Sequence, residues 1–377
     1  MTTKLKIVLL MMISVFCMVN THAAEVRWSG FGTLGAGQTL NSDDARYDAN
    51  PILRDGDLDE NLTFNVLSVV GLQADVRISD SLSATVQFKA LGAENWDTNV
   101  AWAYVTYDLT ANWKVQAGRK LLPVYSYTDS IDVGYTYHWI RPPGDVYRVA
   151  AIGYDGVNVT YQGFFGDWEV AANGLFGRVE DDEDLYTDLS TSYRVWGGNI
   201  EATYDDWVKL RVAAMQYEEF IFDGELGGEG SGIRLGAFDP IYYGTSLSLT
   251  PGNWLLIAEY TWYKLNIDNL IPGVPGTKVL NDLDEAWYVS AAYTNGKWTP
   301  HLTYSHSEFT DDGYNVGFAA RDDSTIIAGI RYDFLPSASL KLEYHLTDDD
   351  SKFNGVDAPT DGHDHVDVIE VAIDFIF

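Results

Sequence analysis

The chain has 377 residues, with 55 acidic against 24 basic side chains and a formal net charge of −31; that sign is wrong for a phosphate backbone and excludes a nucleic-acid binder. A single cysteine, Cys17, excludes a disulfide scaffold and a Cys-ligated structural zinc. Aromatics at 14 %, with 12 Trp and 24 Tyr, exclude a disordered acidic polymer.

The first element is a targeting segment. Lys4 and Lys6 precede a nearly unbroken apolar run from Ile7 to Val19, and Thr21-His22-Ala23-Ala24 supplies small residues for cleavage. The run is too short, and its polar break too early, for a membrane anchor. Residues 1–24 therefore read as a secretory signal peptide cut after Ala23 or Ala24. Phe16, bulky and next to Cys17, argues against a lipid-attachment site. No later window offers the ~18–20 consecutive apolar residues of a transmembrane helix.

Beyond residue 24 the chain alternates. Leu82, Ala84, Val86, Phe88 and Ala90 interleave with polar residues, as do Leu340, Leu342, Tyr344 and Leu346, and Ile326, Ala328, Ile330 and Tyr332 share one face. Period 2 gives each strand one apolar and one polar side. Sixteen strands are predicted at 26–38, 61–77, 81–91, 98–108, 113–119, 151–163, 167–178, 191–205, 207–218, 235–250, 253–266, 283–295, 297–309, 323–334, 339–347 and 366–377. Most reach the ~9–11 residues with which a tilted strand crosses a bilayer. Their connections alternate between tight turns and long, charged loops, the asymmetry of short periplasmic turns and long extracellular loops. Trp113, Trp168, Trp207, Trp254 and Trp298 each follow a short turn, as interfacial Trp does; four lie on the apolar parity, and Trp207 shares parity with Lys209 and Arg211. The last strand alternates Ile369, Val371, Ile373, Phe375 and Phe377 with Glu370 and Asp374. These features predict an all-β, transmembrane antiparallel β-barrel of sixteen strands over residues 25–377, in the outer membrane of a Gram-negative bacterium.

The whole mature sequence resembles a Gram-negative porin. Gly118-Arg119-Lys120-Leu121-Leu122-Pro123, Asp132-Val133-Gly134-Tyr135 and Trp139-Ile140-Arg141-Pro142-Pro143 resemble a stretch that recurs in porin-like proteins of marine gammaproteobacteria. A general porin's typical opening strand and its dense arginine ladder are not found. The resemblance implies a homotrimer embedded in lipid and lipopolysaccharide, a third extracellular loop folded into the pore, and passive diffusion of small hydrophilic solutes and ions. It also implies a terminal assembly signal, here Phe377 and Phe375, read by the outer-membrane assembly machinery. A substrate-selective channel is the alternative.

The third long connection, 120–150, carries Tyr125, Tyr127, Tyr135, Tyr137, Trp139 and Tyr147, more aromatic surface than a solvated loop needs. It is expected to form the constriction, with Asp129, Asp132 and Asp145, together with Arg141 and Arg148, opposing the inward-parity bases Lys89, Lys114, Lys120 and Arg211. Lys209, Arg331 and Lys341, and the acids Asp75, Glu169, Glu259, Asp333 and Glu343, share that inward parity. The acidic outer loops are expected to give a mild cation preference at low salt.

No cofactor is expected. Asp55, Asp57 and Asp59 have the spacing of a calcium loop but lack its Gly and closing Glu, leaving a solvated acidic loop or a structural calcium. Asp361, His363, Asp364 and His365 offer a weaker transition-metal cluster. A barrel hydrolase would nominate His301 with Ser305, or His306 with Ser307, but no nucleophile motif accompanies them. An adhesin is the remaining rival.

Overall fold

In a computed structural model, residues 25–41, 47–48, 57–147, 153–181, 190–223, 239–267, 280–310, 321–350, 352–353, 356–357 and 364–377 are described. The signal peptide expected at 1–24 lies outside them.

Sixteen antiparallel strands close into one barrel. In chain order they are β1 (Glu25–Thr39), β2 (Val69–Arg77), β3 (Leu82–Leu91), β4 (Thr98–Asp108), β5 (Trp113–Leu121), β6 (Gly153–Phe165), β7 (Trp168–Asp181) and β8 (Ser190–Tyr204). There follow β9 (Val208–Asp223), β10 (Ile241–Leu249), β11 (Trp254–Ile267), β12 (Leu280–Tyr293), β13 (Trp298–Thr310), β14 (Arg321–Leu335), β15 (Ala338–Asp349) and β16 (His365–Ile376). Each strand pairs with its sequence neighbours, and β1 pairs with β16 from Phe31↔Ile376 to Thr39↔Val368. Closure leaves no edge, so the backbone groups of the wall are paired strand to strand without water, as a membrane-spanning sheet requires, apart from local register shifts such as those at Gln87/Phe88 and Asp333/Leu335.

The period-2 pattern sets the two faces. Trp28, Leu34, Phe88, Phe176, Ile200, Val212, Leu302 and Leu342 stand exposed on the outside. An apolar band of this extent, continuous round the molecule, is the reverse of a water-soluble surface. At the short-turn rim, four of the five Trp residues sit directly across the ladder from a Tyr: Trp113↔Tyr161, Trp254↔Tyr293, Trp298↔Tyr332 and Trp168↔Tyr204. Their ring centroids lie 4.9, 4.8, 4.3 and 5.1 Å apart. Trp207, on the other parity, has no such Tyr among the ring contacts of the described residues. Gly166, Gly252 and Gly296 hold φ of +64°, +64° and +61° in these turns, with nothing within 4 Å of a would-be Cβ, so the backbone and not crowding demands glycine.

Closure is tightened by aromatic rings lying on glycine. A Cβ on Gly30 would meet the Phe377 ring at 2.3 Å, and one on Gly32 the Phe375 ring at 2.4 Å. Gly30 and Phe377 also exchange both backbone hydrogen bonds, at 2.9 and 3.0 Å.

Two expected strands begin later than their patterns suggest. The second starts at Val69 rather than at 61. Leu62, Phe64 and Val66 alternate as a strand would, but the ladder with β1 ends at Thr33↔Val69 and resumes only as one bridge, Gly37↔Thr63. Five residues there oppose three. Ser68 fixes the excursion: its Oγ donates to Phe64 O at 2.6 Å and accepts from Gly35 N–H at 3.1 Å. The tenth strand starts at Ile241 rather than at 235; residues 235–238 lie outside the described residues, and Pro240 has no N–H to give a ladder.

Candidate functional site

The third long connection folds inside the barrel. The largest buried apolar cluster of the described residues comes from this loop, including Leu122, Val124, Tyr125, Tyr137, Trp139 and Tyr147, packed on Tyr154, Tyr242 and Tyr288 of the wall. Tyr125 stacks on Tyr147 at 4.3 Å, and Trp139 meets Tyr288 edge-on at 5.5 Å. The aromatic surface conspicuous in the sequence is thus this barrel's core.

Polar groups of the inner wall catch the loop backbone, one strand after another. On β9, Arg211 donates to Val124 O at 3.0 Å and also to Pro123 O. On β10, the Tyr242 hydroxyl donates to Val124 O at 2.9 Å. Glu259 of β11 accepts from Ser126 N–H and from the Tyr147 hydroxyl, both at 2.8 Å. On β13, Thr303 accepts from Trp139 Nε1 at 2.8 Å, and Ser305 donates to Asp145 at 2.6 Å. Arg331 of β14 donates to the carbonyls of Tyr135 and Tyr137, each at 2.8 Å. On β15, Lys341 donates to Gly134 O and Trp139 O at 2.6 and 2.5 Å, and Glu343 accepts from Ile140 N–H at 2.7 Å. Lys341 also pairs with buried Asp374 of β16 at 2.8 Å, whose other oxygen accepts from Thr33 at 2.6 Å. A loop without regular structure exposes unpaired carbonyls and N–H groups. Inside a barrel these need partners, and the wall charges supply them.

This arrangement divides the residues expected at the narrow point. Asp132 is buried and pairs with Lys89 at 2.8 Å. Asp145 is buried on Ser305, and Arg141 donates to Leu67 O at 2.8 Å. Arg211 is the loop clamp just described. Lys89, Asp132, Asp145 and Arg141 thus meet loop or wall groups in the loop–wall seam, while Arg211 clamps the loop and also borders the cavity described next. The kink before β2 has its reason here, since it turns the Leu67 carbonyl toward Arg141. Arg148 lies outside the described residues.

Asp129, Lys114 and Lys120 border one cavity. Asp129 lies on a short 3₁₀ turn, Thr128–Ser130, at the exposed edge of the loop. It shares a cavity of about 280 Å³ with Lys114, Gln116 and Lys120 of β5, Tyr154 and Thr160 of β6, Asn173 of β7, Asn199 and Glu201 of β8, and Arg211 of β9. Lys120 Nζ donates to Gln116 at 2.7 Å and lies 5.1 Å from the centre of the Tyr104 ring. Glu201 pairs with Lys209 at 3.1 Å. The cavity therefore has an acid on the loop side and lysines, Glu201 and amides on the wall side. Nothing in the sequence singles out Gln116, Asn173 and Asn199, since every second strand residue shares inward parity and an amide carries no charge to mark it.

Of the calcium candidates, Asp57 opens a two-residue strand paired with Tyr47–Asp48, Asp59 accepts from Asn61 N–H at 2.7 Å in a local turn, and Asp55 lies outside the described residues. Asp361 and His363 also lie outside them, while His365 is held by Asp348 at 2.7 Å and Asp367 at 3.2 Å. Phe375 and Phe377 stand where the barrel closes.

No protein-family model and no curated protein matches the chain. Solved structures do. The chain is similar to the trimer form of in-vitro folded OmpT, an outer membrane protein of Vibrio cholerae, with a TM-score of 0.61 and 16 % identity over 94 % of this chain and 100 % of that one. It is similar to the outer membrane channel DcaP of Acinetobacter baumannii, at 0.60 and 14 % over 94 % and 97 %. It is also similar to an anion-selective porin from Comamonas acidovorans, at 0.57 and 15 % over 94 % and 100 %. The likeness is one of fold, and it runs the length of the barrel: the chain has the multi-pass, sixteen-stranded architecture of Gram-negative outer-membrane porins.

Proposed function

We propose that the protein is a passive, water-filled channel for small hydrophilic solutes and ions, constricted between Asp129 and the lysines Lys114 and Lys120. The observation that carries this is the cavity between the loop edge and β5–β9, lined by charges of both signs and by amides. Opposed charges set up a field across the passage in which a dipolar solute aligns, while an apolar solute sheds water beside charge for no return. The excess of acids, 55 to 24, raises the cation concentration at the mouths, so a mild cation preference fades as salt screens it. Lipid and lipopolysaccharide cover the apolar belt, the channel is a homotrimer, and the assembly machinery reads Phe375 and Phe377.

The reading assigns no enzymatic role. The Ser305 hydroxyl is buried and committed to Asp145, and His301 faces Glu343 at 3.4 Å. A substrate-selective channel is favoured by one feature, the Tyr154 ring beside Lys120 in the cavity lining, an aromatic and cationic pair against which a planar or sugar-like solute would rest.

Bilayer recording tests both. Asp129→Asn is expected to leave conductance similar and to shift the reversal potential toward anions, and shortening 125–139 is expected to raise conductance. No conductance steps at any voltage reject the channel. A folded deletion variant that conducts like the parent removes the loop from the constriction. Saturable block by one solute class favours the selective channel.

A further inference from the structure

Behind the loop, on the side away from the cavity, β15 and β16 set Glu343 directly across the ladder from Glu370. Both side chains are buried, so two carboxylates share a space that the loop seals from water. Such a pair is costly without a cation between its members. His345 lies on the same face of β15, with Nε2 3.1 Å from Glu343 and 3.8 Å from Glu370. One ligand atom from each of the three residues falls within 4.8 Å of the others.

We propose that Glu343, His345 and Glu370 bind a divalent transition-metal cation, zinc(II) first among them. The separations of 3.1 and 3.8 Å bracket the edge of a tetrahedron, roughly 3.4 Å, built on metal bonds of ~2.0–2.2 Å. A second, independent feature points to the same place. The His301 side chain is fully buried on β13, neither ring nitrogen has a hydrogen-bond partner, and Nε2 lies 3.4 Å from the other oxygen of Glu343. His301 lies outside the three-residue group whose ligand atoms fall within 4.8 Å of one another, so it borders the site through Glu343 rather than completing it.

The surroundings agree. His345 Nδ1 lies 3.0 Å from the Tyr47 hydroxyl, so that with a metal on Nε2 the Nδ1–H donates outward to Tyr47, the outer-shell contact that orients metal-bound histidines. The charged groups facing the cluster are Glu343, Glu370 and the loop's Asp145 against Arg141 and Lys341, and Lys341 is itself paired with Asp374. With neutral imidazoles these leave two negative charges, which one divalent cation cancels. Mixed nitrogen and oxygen donors suit zinc and disfavour calcium or magnesium, which take oxygen. A metal here joins three parts of the chain: the wall, the loop through Ile140 N–H on Glu343, and the first long connection through Tyr47.

The test uses the folded, detergent-solubilised protein, stripped with chelator and re-exposed to zinc(II) or cobalt(II). One zinc per chain by elemental analysis is expected, and the cobalt form is expected to show the intense visible absorption of four- or five-coordinate geometry. Glu370→Gln and His345→Gln are expected to weaken zinc binding by at least ~10-fold, and Tyr47→Phe by ~10–100-fold. His365→Asn, which removes the exposed imidazole between Asp348 and Asp367, is expected to leave binding unchanged. No stoichiometric zinc, or zinc lost with His365→Asn and retained in Glu370→Gln, overturns the proposal. So does a weak, aqua-like cobalt spectrum in the parent, a readout that holds even where the variants fail to fold.

Discussion

Lys341 fastens the loop to the wall, and its replacement by Met keeps the length of the side chain while removing the charge. Lys341 and Asp374 form a fully buried ion pair at 2.8 Å, and the same ammonium serves the carbonyls of Gly134 and Trp139. Removing one partner of a buried pair costs about 3–5 kcal/mol, because the other charge stays buried. Asp374 would retain only its bond from Thr33. At ~1.4 kcal/mol per decade, the equilibrium between docked and released loop moves by roughly two to three and a half orders of magnitude. The barrel ladder does not pass through this ammonium, so the expected change is local. Limited proteolysis within 122–147 and excess current noise in bilayers report it, and the barrel band on unboiled gels persists. The double variant Lys341→Met, Asp374→Asn is expected to regain much of the loss, since no unpaired charge remains. Proteolysis and noise in Lys341→Met equal to the parent, or a double variant no better than the sum of its parts, would refute the reasoning.

Gly30→Ala and Gly32→Ala place a methyl 2.3 and 2.4 Å from the Phe377 and Phe375 rings; displacing the rings is expected to cost about 1–3 kcal/mol, lowering both assembled yield and the temperature at which the folded gel band is lost. Deleting Phe377 is expected to impair assembly likewise, and parent-like yields of inserted protein in these variants count against the closure argument. Burial, then the neighbouring His301, Lys341 and Arg331, holds the His138 imidazole well below its ordinary range. The unfolded loop therefore takes up a proton near pH ~6.5 that the docked loop refuses, and docking weakens as pH falls below that value. Protease sensitivity of 122–147 is expected to rise between pH 7.5 and 5, and His138→Gln to flatten that rise; an equal rise in the variant refutes the assignment.

The strand count, closure and faces were legible because lipid on one side and water or loop on the other force a period of 2, and sixteen such segments stand in the chain. Lys341, Glu259, Glu343 and Arg331 were likewise legible as inward-facing. What covers them was not. Parity says which side of the wall a charge occupies and nothing about whether water or a folded loop lies against it. Arg211 and Lys114 are both inward bases that border the cavity, yet Arg211 is also held against Pro123 and Val124 of the loop. The seam between Asp132 and Lys89, 43 residues apart, is a tertiary fact with no local signature. The segment 61–68 misled for the opposite reason: its alternation is genuine, but Ser68 spends its hydroxyl on Phe64 and Gly35 and breaks the ladder there.

The loop is fastened mostly to β9–β16, with Lys89 of β3 holding Asp132, and the cavity lies against β5–β9. This off-centre placement gives the two halves of the circumference different freedom to vary. In the proposed channel, a substitution at Lys114, Asn173 or Asn199 would alter what a passing solute meets and leave the loop's fastenings whole. A substitution at Glu259, Arg331 or Glu343 would alter the fastenings first and permeation only as a consequence. Selectivity of such a channel could thus drift by changes confined to four or five neighbouring strands, without renegotiating the fold; an engineer seeking a new filter would begin on that arc.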